Sequence, residues 1–377
     1  MRRTTSALAL LAIAPLALAA CTSKSAADDE AITVTATDST CEVSADSGAT
    51  GNTTFSITNN GSKVTEFYVY GDGDRVMGEV ENVGPGLTRQ LIVNLAEAGT
   101  YHTACKPGMV GDGLRTDFVV TGDSVAATDD DGRLAEAADG YKRYVDSQLS
   151  ALQETAAAFV AAVKSGDLAA AKAQYPLTRT YYERIEPIAE SFPDDLDPRI
   201  DLREVDVEPG WHWTGFHRLE KDLWVQGPQP DTAAIADQLL TDIQELADGI
   251  AAPDFAVDPI QVAGGAQTLL DEIARTKITG EEDIFSHTDL YDFQANADGS
   301  QAAIASLRPI LDERSPELGA RIDQRFADLD SELAQYRQGD GFVSYETVTE
   351  PQRQALSQKI DALSAEVSQV QGVVAGQ

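Results

Sequence analysis

Apolar positions along this 377-residue chain change their period twice. Residues 7–18 form an apolar run, and residues 32–121 then carry short alternating segments: ITVTATD, TTFSITNNG, TEFYVYGDG, RQLIVNL and TDFVVTG. Alternation of this kind, rich in Val, Thr, Phe and Tyr and broken by Gly and Asn, predicts β-strands. About seven strands in ~90 residues predict a β-sandwich or Greek-key barrel. The next stretch, TGDSVAATDDDGRLAEAADG, is acidic and aperiodic, which predicts a linker over 123–140. Beyond it Val145, Leu149, Leu152, Ala156, Phe159 and Val163 recur every three or four residues, as on one face of a helix. Gly166 then Asp167 read as a stop and a new N-cap. The helical period returns at Ile235, Leu239, Ile243 and Leu246, at Leu269, Leu270 and Ile273, at Ile322, Phe326, Leu329 and Leu333, and at Leu356, Ile360, Leu363 and Val367. The expected fold is two-domain: an all-β sandwich over 30–122 and an all-α helical bundle over 141–377, with 253–259 and 339–345 as loops.

The first apolar run follows Arg2 and Arg3 and ends in Leu18-Ala19-Ala20-Cys21, which reads as a signal peptide over 1–21. A small-residue cleavage site ending in cysteine resembles the bacterial lipoprotein box, in which the chain is cut before Cys21 and that cysteine carries lipid. No later run approaches the ~20 apolar residues of a membrane span, so a lipid anchor at Cys21 is the expected membrane attachment.

Removing Arg2 and Arg3 from 28 basic residues leaves 26 against 62 acidic ones, a net charge of −36. Such a chain repels nucleic acid and other polyanions and attracts cations, although a plain solvated surface has the same composition. Besides Cys21 the chain has Cys41 and Cys105. Outside the cytoplasm these two are expected to form a disulfide or to share a metal.

The stretch GWHWTGFHRLEKDLW, residues 210–224, holds two of the four histidines and all three tryptophans. In a helix His217 and Glu220, three apart, project from one face and make half of a metal site; the same pair can also form a simple surface hydrogen bond. Glu183 and Glu186 in YYERIEPIAE repeat the spacing beside Ile185 and Ile188. DDLDPRIDLRE adds acidic residues, of which Asp194 to Asp197 read as solvated. GEEDIFSHTDLYDF interleaves Glu281, Glu282, Asp283, His287, Asp289 and Asp292 with aromatic residues. Trp211, Trp213 and Trp224 are expected to pack around the metal-bearing helix, with His212 on a different face.

GFHRLE resembles the GxHxxE motif of the imelysin-like family. Together with YYERIEPIAESF, DLDPRIDLRE, TGFHRLEKDLW and KITGEEDIFSHTDLYDFQAN, it makes the chain similar to the EfeO-type iron-uptake lipoproteins over almost the whole mature length. The resemblance implies a cupredoxin-like domain before an imelysin-like one, in a periplasmic or cell-surface protein that is not an enzyme. It implies a component of an EfeUOB-type system that binds iron and hands it to a membrane permease, alongside a haem peroxidase. The ligands it implies are His217, Glu220, Glu183, Glu186, Asp201 and either Glu281 or Glu282. Carboxylates with one imidazole suit Fe3+ or Fe2+, with Cu2+ and Zn2+ as further candidates.

YHTACKPGM, residues 101–109, resembles a cupredoxin ligand loop, with Cys105 and Met109 in copper-binding places. A blue-copper site needs two histidines, and His102 is the one imidazole in this part of the chain. Glu66, Glu79 and Glu81 resemble acidic positions suggested for iron in such domains, so Glu66, Glu79, Glu81, Cys41, Cys105 and Met109 form a candidate second metal site; a solvated edge strand explains the three glutamates equally well. Two other functions compete. An imelysin-type metallopeptidase lacks the H-E-x-x-H helix typical of zinc peptidases. A polysaccharide-binding lipoprotein would face repulsion from any polyanionic glycan.

Overall fold

The computed structural model describes residues 31–108, 111–124, 132–207, 209–253 and 255–376. The expected signal peptide with Cys21, and Met109 in the candidate copper loop, lie outside the described residues.

The N-terminal part is a two-sheet sandwich. Its strands are β1 (Ile32–Ala36), β2 (Cys41–Val43), β3 (Ser47–Ala49), β4 (Gly51–Asn59), β5 (Thr65–Tyr70), β6 (Val76–Val83), β7 (Thr88–Leu95), β8 (Gly99–Pro107) and β9 (Leu114–Thr121). One sheet has the order β2-β1-β4-β7 and the other β3-β9-β8-β5-β6, with β1 parallel to β4 and β3 parallel to β9. Alternation places Thr53, Phe55, Ile57 and Asn59 of β4 inside, and Phe55 packs against Phe67 and Phe118 with ring centroids 5.3 and 5.5 Å away. β5 breaks this rule and is buried on both faces: Phe67 and Val69 enter the sandwich core, while Tyr68 and Tyr70 belong to a second cluster with Val76 and Ala104.

Cys41 on β2 and Cys105 on β8 are joined by a disulfide that links the two sheets. With both sulfurs so engaged, neither Cys41 nor Cys105 offers copper a thiolate.

The rest of the chain is helical: α1 (Arg133–Ser165), α2 (Leu168–Glu183), α3 (Glu186–Glu190), α4 (Leu196–Asp201), α5 (Gly215–Lys221), α6 (Thr232–Ile250), α7 (Pro259–Arg275), α8 (Asp289–Arg314), α9 (Pro316–Leu333), α10 (Glu350–Val367) and α11 (Val370–Ala375). A two-residue β-ribbon, Arg337–Gln338 with Gly341–Phe342, interrupts them. Gly166 ends α1 at φ 76°, and the Asp167 side chain accepts from the Ala170 N–H at 3.1 Å, so stop and cap fall where the sequence puts them. The expected linker is too long: helix α1 already runs from Arg133. Leu134, Ala137 and Tyr141 are buried on one face, and the small acidic residues between them hide the helical period.

The sandwich is docked on the bundle through directed contacts. Ile92 of β7 enters the helical core. Its backbone N–H donates to Gln371 Oε1 at 3.1 Å, and Gln371 Nε2 donates back to its carbonyl at 2.9 Å. Asn94 Nδ2 donates to Asp258 Oδ2 at 3.0 Å, while Asp258 Oδ1 accepts from the Ile260 N–H at 2.7 Å and caps α7.

The disulfide closes a loop of 64 residues. By the loop-entropy relation, replacing both cysteines with alanine should cost about 4 kcal/mol of unfolding free energy. Urea unfolding of the Cys41→Ala/Cys105→Ala protein, followed by near-UV circular dichroism, checks this.

Candidate metal centre

His217 is carried by α5, and a glycine sets where α5 begins. Gly215 has φ 83°, and a Cβ there would lie 2.1 Å from the Ile200 carbonyl oxygen. Only glycine lets α5 start against the end of α4, which brings His217 beside Asp201. Phe216 and Leu219 fill the apolar core on either side, so the imidazole is held at 1 % exposure.

Two groups of acidic side chains converge on that ring. Nδ1 lies 3.2 Å from Glu220 Oε2, 3.4 Å from the Tyr175 hydroxyl and 3.9 Å from Asp283 Oδ1. Nε2 lies 3.4 Å from Glu282 Oε1 and 3.6 Å from Asp201 Oδ1, and it has no hydrogen-bond partner although it is buried. Asp201, His217 and Glu282 each offer a ligand atom within 4.8 Å of the others, as do His217, Glu220 and Asp283. Backbone N–H groups of Phe285 and Ser286 fix Glu220 Oε1 at 3.1 and 2.7 Å. The Tyr175 hydroxyl donates to Asp283 Oδ1 at 3.0 Å.

Two buried cations hold these carboxylates together. Arg179 on α2 is 0 % exposed and pairs with Asp201 and Glu183, with Glu282 Oε1 at 3.1 Å, and through Nε with Asp292 Oδ2 at 3.1 Å. Lys277, also 0 % exposed, reaches Glu183 Oε2 at 2.9 Å, Glu272 Oε2 at 3.0 Å and Glu282 Oε1 at 3.5 Å. Aromatic rings form the dry wall: Trp224 and Phe216 meet Tyr175 edge-on at 5.4 and 6.3 Å, and the guanidinium lies 5.6 Å over Phe216. Asp201 and Glu282 retain 7 and 5 % exposure, against 0 % for Glu220 and Asp283.

The electrostatics follow from this packing. Burial and the Arg179 charge push the His217 pKa down, but the Asp201 charge and the neighbouring carboxylates of Glu220 and Glu282 outweigh them and hold it at about 10. Burial pushes Glu183 up to about 7 against the pull of Lys277 and Arg179. Glu220 is raised by burial and by Asp283. Glu282 goes the other way: burial opposes its charge, yet Lys277 and the neighbouring His217 hold it well below the usual carboxylate range. A histidine raised from 6.5 to about 10 stabilises the fold fully below pH 6.5, and that contribution is lost as pH rises through 10.

Of the residues read from sequence, His217, Glu220, Asp201 and Glu282 come together. Glu183 stands one layer back, bound to Arg179, Lys277 and Asn296. Glu186 does not join the group around the imidazole; it lies 3.9 Å from Lys277. Glu281 is exposed and takes no part, because the turn before α8 points Glu282 and Asp283 inward instead. His212 is exposed, and His287 sits apart, 3.5 Å from Glu346. Trp211 is 43 % exposed and Trp213 half-buried, donating to the Leu202 carbonyl at 2.6 Å; Trp224 meets Tyr175. Asp197, read as solvated, accepts from the Tyr182 hydroxyl, and burial pushes it up to about 8. In the sandwich, Glu66 is buried and Glu79 and Glu81 half-buried, and the Tyr68 hydroxyl lies 3.3 Å from both Glu66 and Glu81. Arg179, Lys277, Tyr175 and the role of Asp283 escape sequence reasoning.

A β-sandwich docked on a helical bundle that buries one imidazole among carboxylates defines a two-domain cupredoxin–imelysin protein. Family models agree: the Cupredoxin-like domain model matches residues 8–120 and the Imelysin model matches 137–370. The chain is 41 % identical over 359 residues to the iron uptake system component EfeO of Escherichia coli K12, covering 93 % of this chain and 92 % of that protein. The components of that name from Escherichia coli O157:H7 and Shigella flexneri match to the same extent. The chain belongs to the EfeO family of iron uptake system components. A solved structure, a putative iron-regulated protein A precursor from Parabacteroides distasonis, is also similar, at 15 % identity and a TM-score of 0.45, covering 68 % of this chain and 97 % of that one.

Removing the central cation leaves buried carboxylates unpaired. Arg179→Ala should cost about 3–5 kcal/mol at pH 7. The loss should shrink toward pH 5, because protons then take the place of the guanidinium. Thermal or urea unfolding at the two pH values tests both statements.

Proposed function

We propose that this protein is the extracytoplasmic metal-binding component of its uptake system, that it takes Fe3+ or Fe2+ as cargo at His217, and that it passes the ion to a membrane permease. The observation that carries this reading is the buried Nε2 of His217, without a hydrogen-bond partner and facing Asp201 and Glu282. Asp201, Glu282, Glu220 and Asp283 would supply the oxygen ligands, a donor set that favours a hard ion. Cu2+ and Zn2+ are the competing cargoes because imidazole also suits them.

An uptake component must release what it binds. In the present arrangement Arg179 and Lys277 compensate the carboxylates, so an incoming ion has to compete with two internal cations. That competition moderates affinity and supplies ready counter-charges when the ion leaves. Entry from the Asp201 and Glu282 side would bring the ion first to carboxylates and last to the imidazole. A hydrolytic zinc site would instead keep an open position on the ion beside a general base. The enclosure of His217 by carboxylates paired with Arg179 and Lys277 favours carriage over peptide hydrolysis. Lipid on Cys21 would keep the carrier at the membrane near the permease and a haem peroxidase of the same system.

His217→Ala should weaken iron binding at least 10-fold while leaving helical circular dichroism intact, since loss of a group that merely supports a ligand already costs ~10 to 100-fold. Unchanged affinity in titration calorimetry would remove His217 from the site. Binding should also release protons. The imidazole is charged at neutral pH, with its pKa at about 10, and must be neutral to ligate. Affinity should therefore rise from pH 6 to 9, with about one proton or more released per ion at pH 7, read from calorimetry in buffers of different ionisation enthalpy.

A further inference from the structure

We propose that the seam between the two domains carries a site for a small oxyanion, held by the guanidinium groups of Arg89 on β7 and Arg275 on α7. One arginine comes from the sandwich and the other from the bundle, so an anion bound between them is gripped by both domains at once.

The two cations meet at one oxygen. Arg275 Nη2 lies 3.4 Å from Asp271 Oδ2, and Arg89 Nη1 lies 4.0 Å from the same atom. The other oxygen of that carboxylate is already taken: Asp271 Oδ1 accepts from Gln267 Nε2 at 2.8 Å and from Ser364 Oγ at 3.4 Å. A single carboxylate oxygen cannot serve two guanidinium groups that each carry several N–H donors. The shortfall falls on Arg275, where Nη1 and Nη2 are both buried and neither has a hydrogen-bond partner. Buried donors are normally satisfied, and two of them on one cation mark a missing acceptor that carries negative charge.

In a chain with 62 acidic residues against 28 basic ones, such a cation is the exception. Burial and the neighbouring Arg89 charge outweigh Asp271 and pull the Arg275 guanidinium below its usual range, whereas their carboxylate partners hold Arg179 and Lys277 well above theirs. An anion between Arg89 and Arg275 removes that repulsion.

The surroundings admit a ligand and limit its size. A cleft of about 290 Å³ opens between β6, β7 and α7, and Arg89, Gln267, Thr268 and Asp271 line it. Glu79 and Glu81 line it as well and repel a long polyanion. The chemistry that fits is a compact oxyanion, a phosphate or a short carboxylate, whose oxygens match the planar donor fork of arginine. This site does not involve the His217 centre and stands whether or not that centre takes iron.

Inorganic phosphate and citrate are the probes, each titrated into the metal-free full mature chain at an ionic strength held constant with chloride, and followed by calorimetry and thermal unfolding. At least one of the two should bind and raise the melting temperature. Arg275→Gln and Arg89→Gln should each weaken that binding about 10-fold or more, the loss expected of a charged hydrogen-bond donor. Arg321→Gln, on the exposed part of α9, should bind as the parent does. The Arg89 side chain is 35 % exposed, so its replacement leaves the core intact and reads the site even if Arg275→Gln fails to fold. Binding of phosphate alone assigns a tetrahedral ligand, and binding of citrate alone assigns a carboxylate. If neither anion binds better than chloride, or if either folded arginine variant binds the anion as tightly as the parent, the site is wrong.

Discussion

A guanidinium with no access to water organises the helical domain. Arg179 pairs at once with side chains from α2, α4, the turn before α8 and α8 itself: Glu183, Asp201, Glu282 and Asp292. A bare charge in that place would be prohibitively costly to desolvate, and so would each carboxylate. Every partner is therefore a condition for the others. The same network delivers Asp201 and Glu282 to the Nε2 side of His217, so the arrangement that compensates the buried charges is also the one that gathers the hard ligands of the proposed site.

This coupling gives a physical account of how so many acidic side chains can be buried around one imidazole. Lys277 repeats the device one layer away, between Glu183, Glu282 and Glu272. Internal cations hold the acidic cluster together, and under the proposed function an incoming ion would have to compete with them. The sandwich adds its own carboxylates along the seam, so negative charge continues from the sandwich toward the bundle centre, in keeping with a chain whose net charge is −34.

Much of the fold was legible because most helices have a single buried stripe. The positions from Val145 to Val163 in α1, and the Gly166–Asp167 boundary, are where their period puts them. Helix α8 was not read as a helix because its buried positions mix Leu290, Phe293, Ile304 and Leu307 with Asp289, Asp292, Asn296, Gly299 and Ser300, so no apolar stripe marks its buried side. The start of α1 was hidden by alanine and acid. In the candidate site, the GxHxxE motif pointed to His217 and Glu220, and GEED left Glu281 and Glu282 as alternatives; in the structure Glu282 is buried beside His217 and Glu281 is exposed. Arg179 and Lys277 were invisible for a general reason, since basic residues are normally solvated and a sequence gives no direct sign of the exception. One signal was present: Arg179 lies four residues after Tyr175 and four before Glu183, on a helix face whose other members are core residues.

Anomalous scattering at the iron edge from crystals of the iron-loaded protein tests the central claim most directly. The account predicts a peak bonded to His217 Nε2 and to oxygens of Asp201 and Glu282, with the Arg179 guanidinium drawn away from Asp201. A peak elsewhere, with His217 unligated and the pairing of Arg179 to Asp201 and Glu282 unchanged, would contradict it.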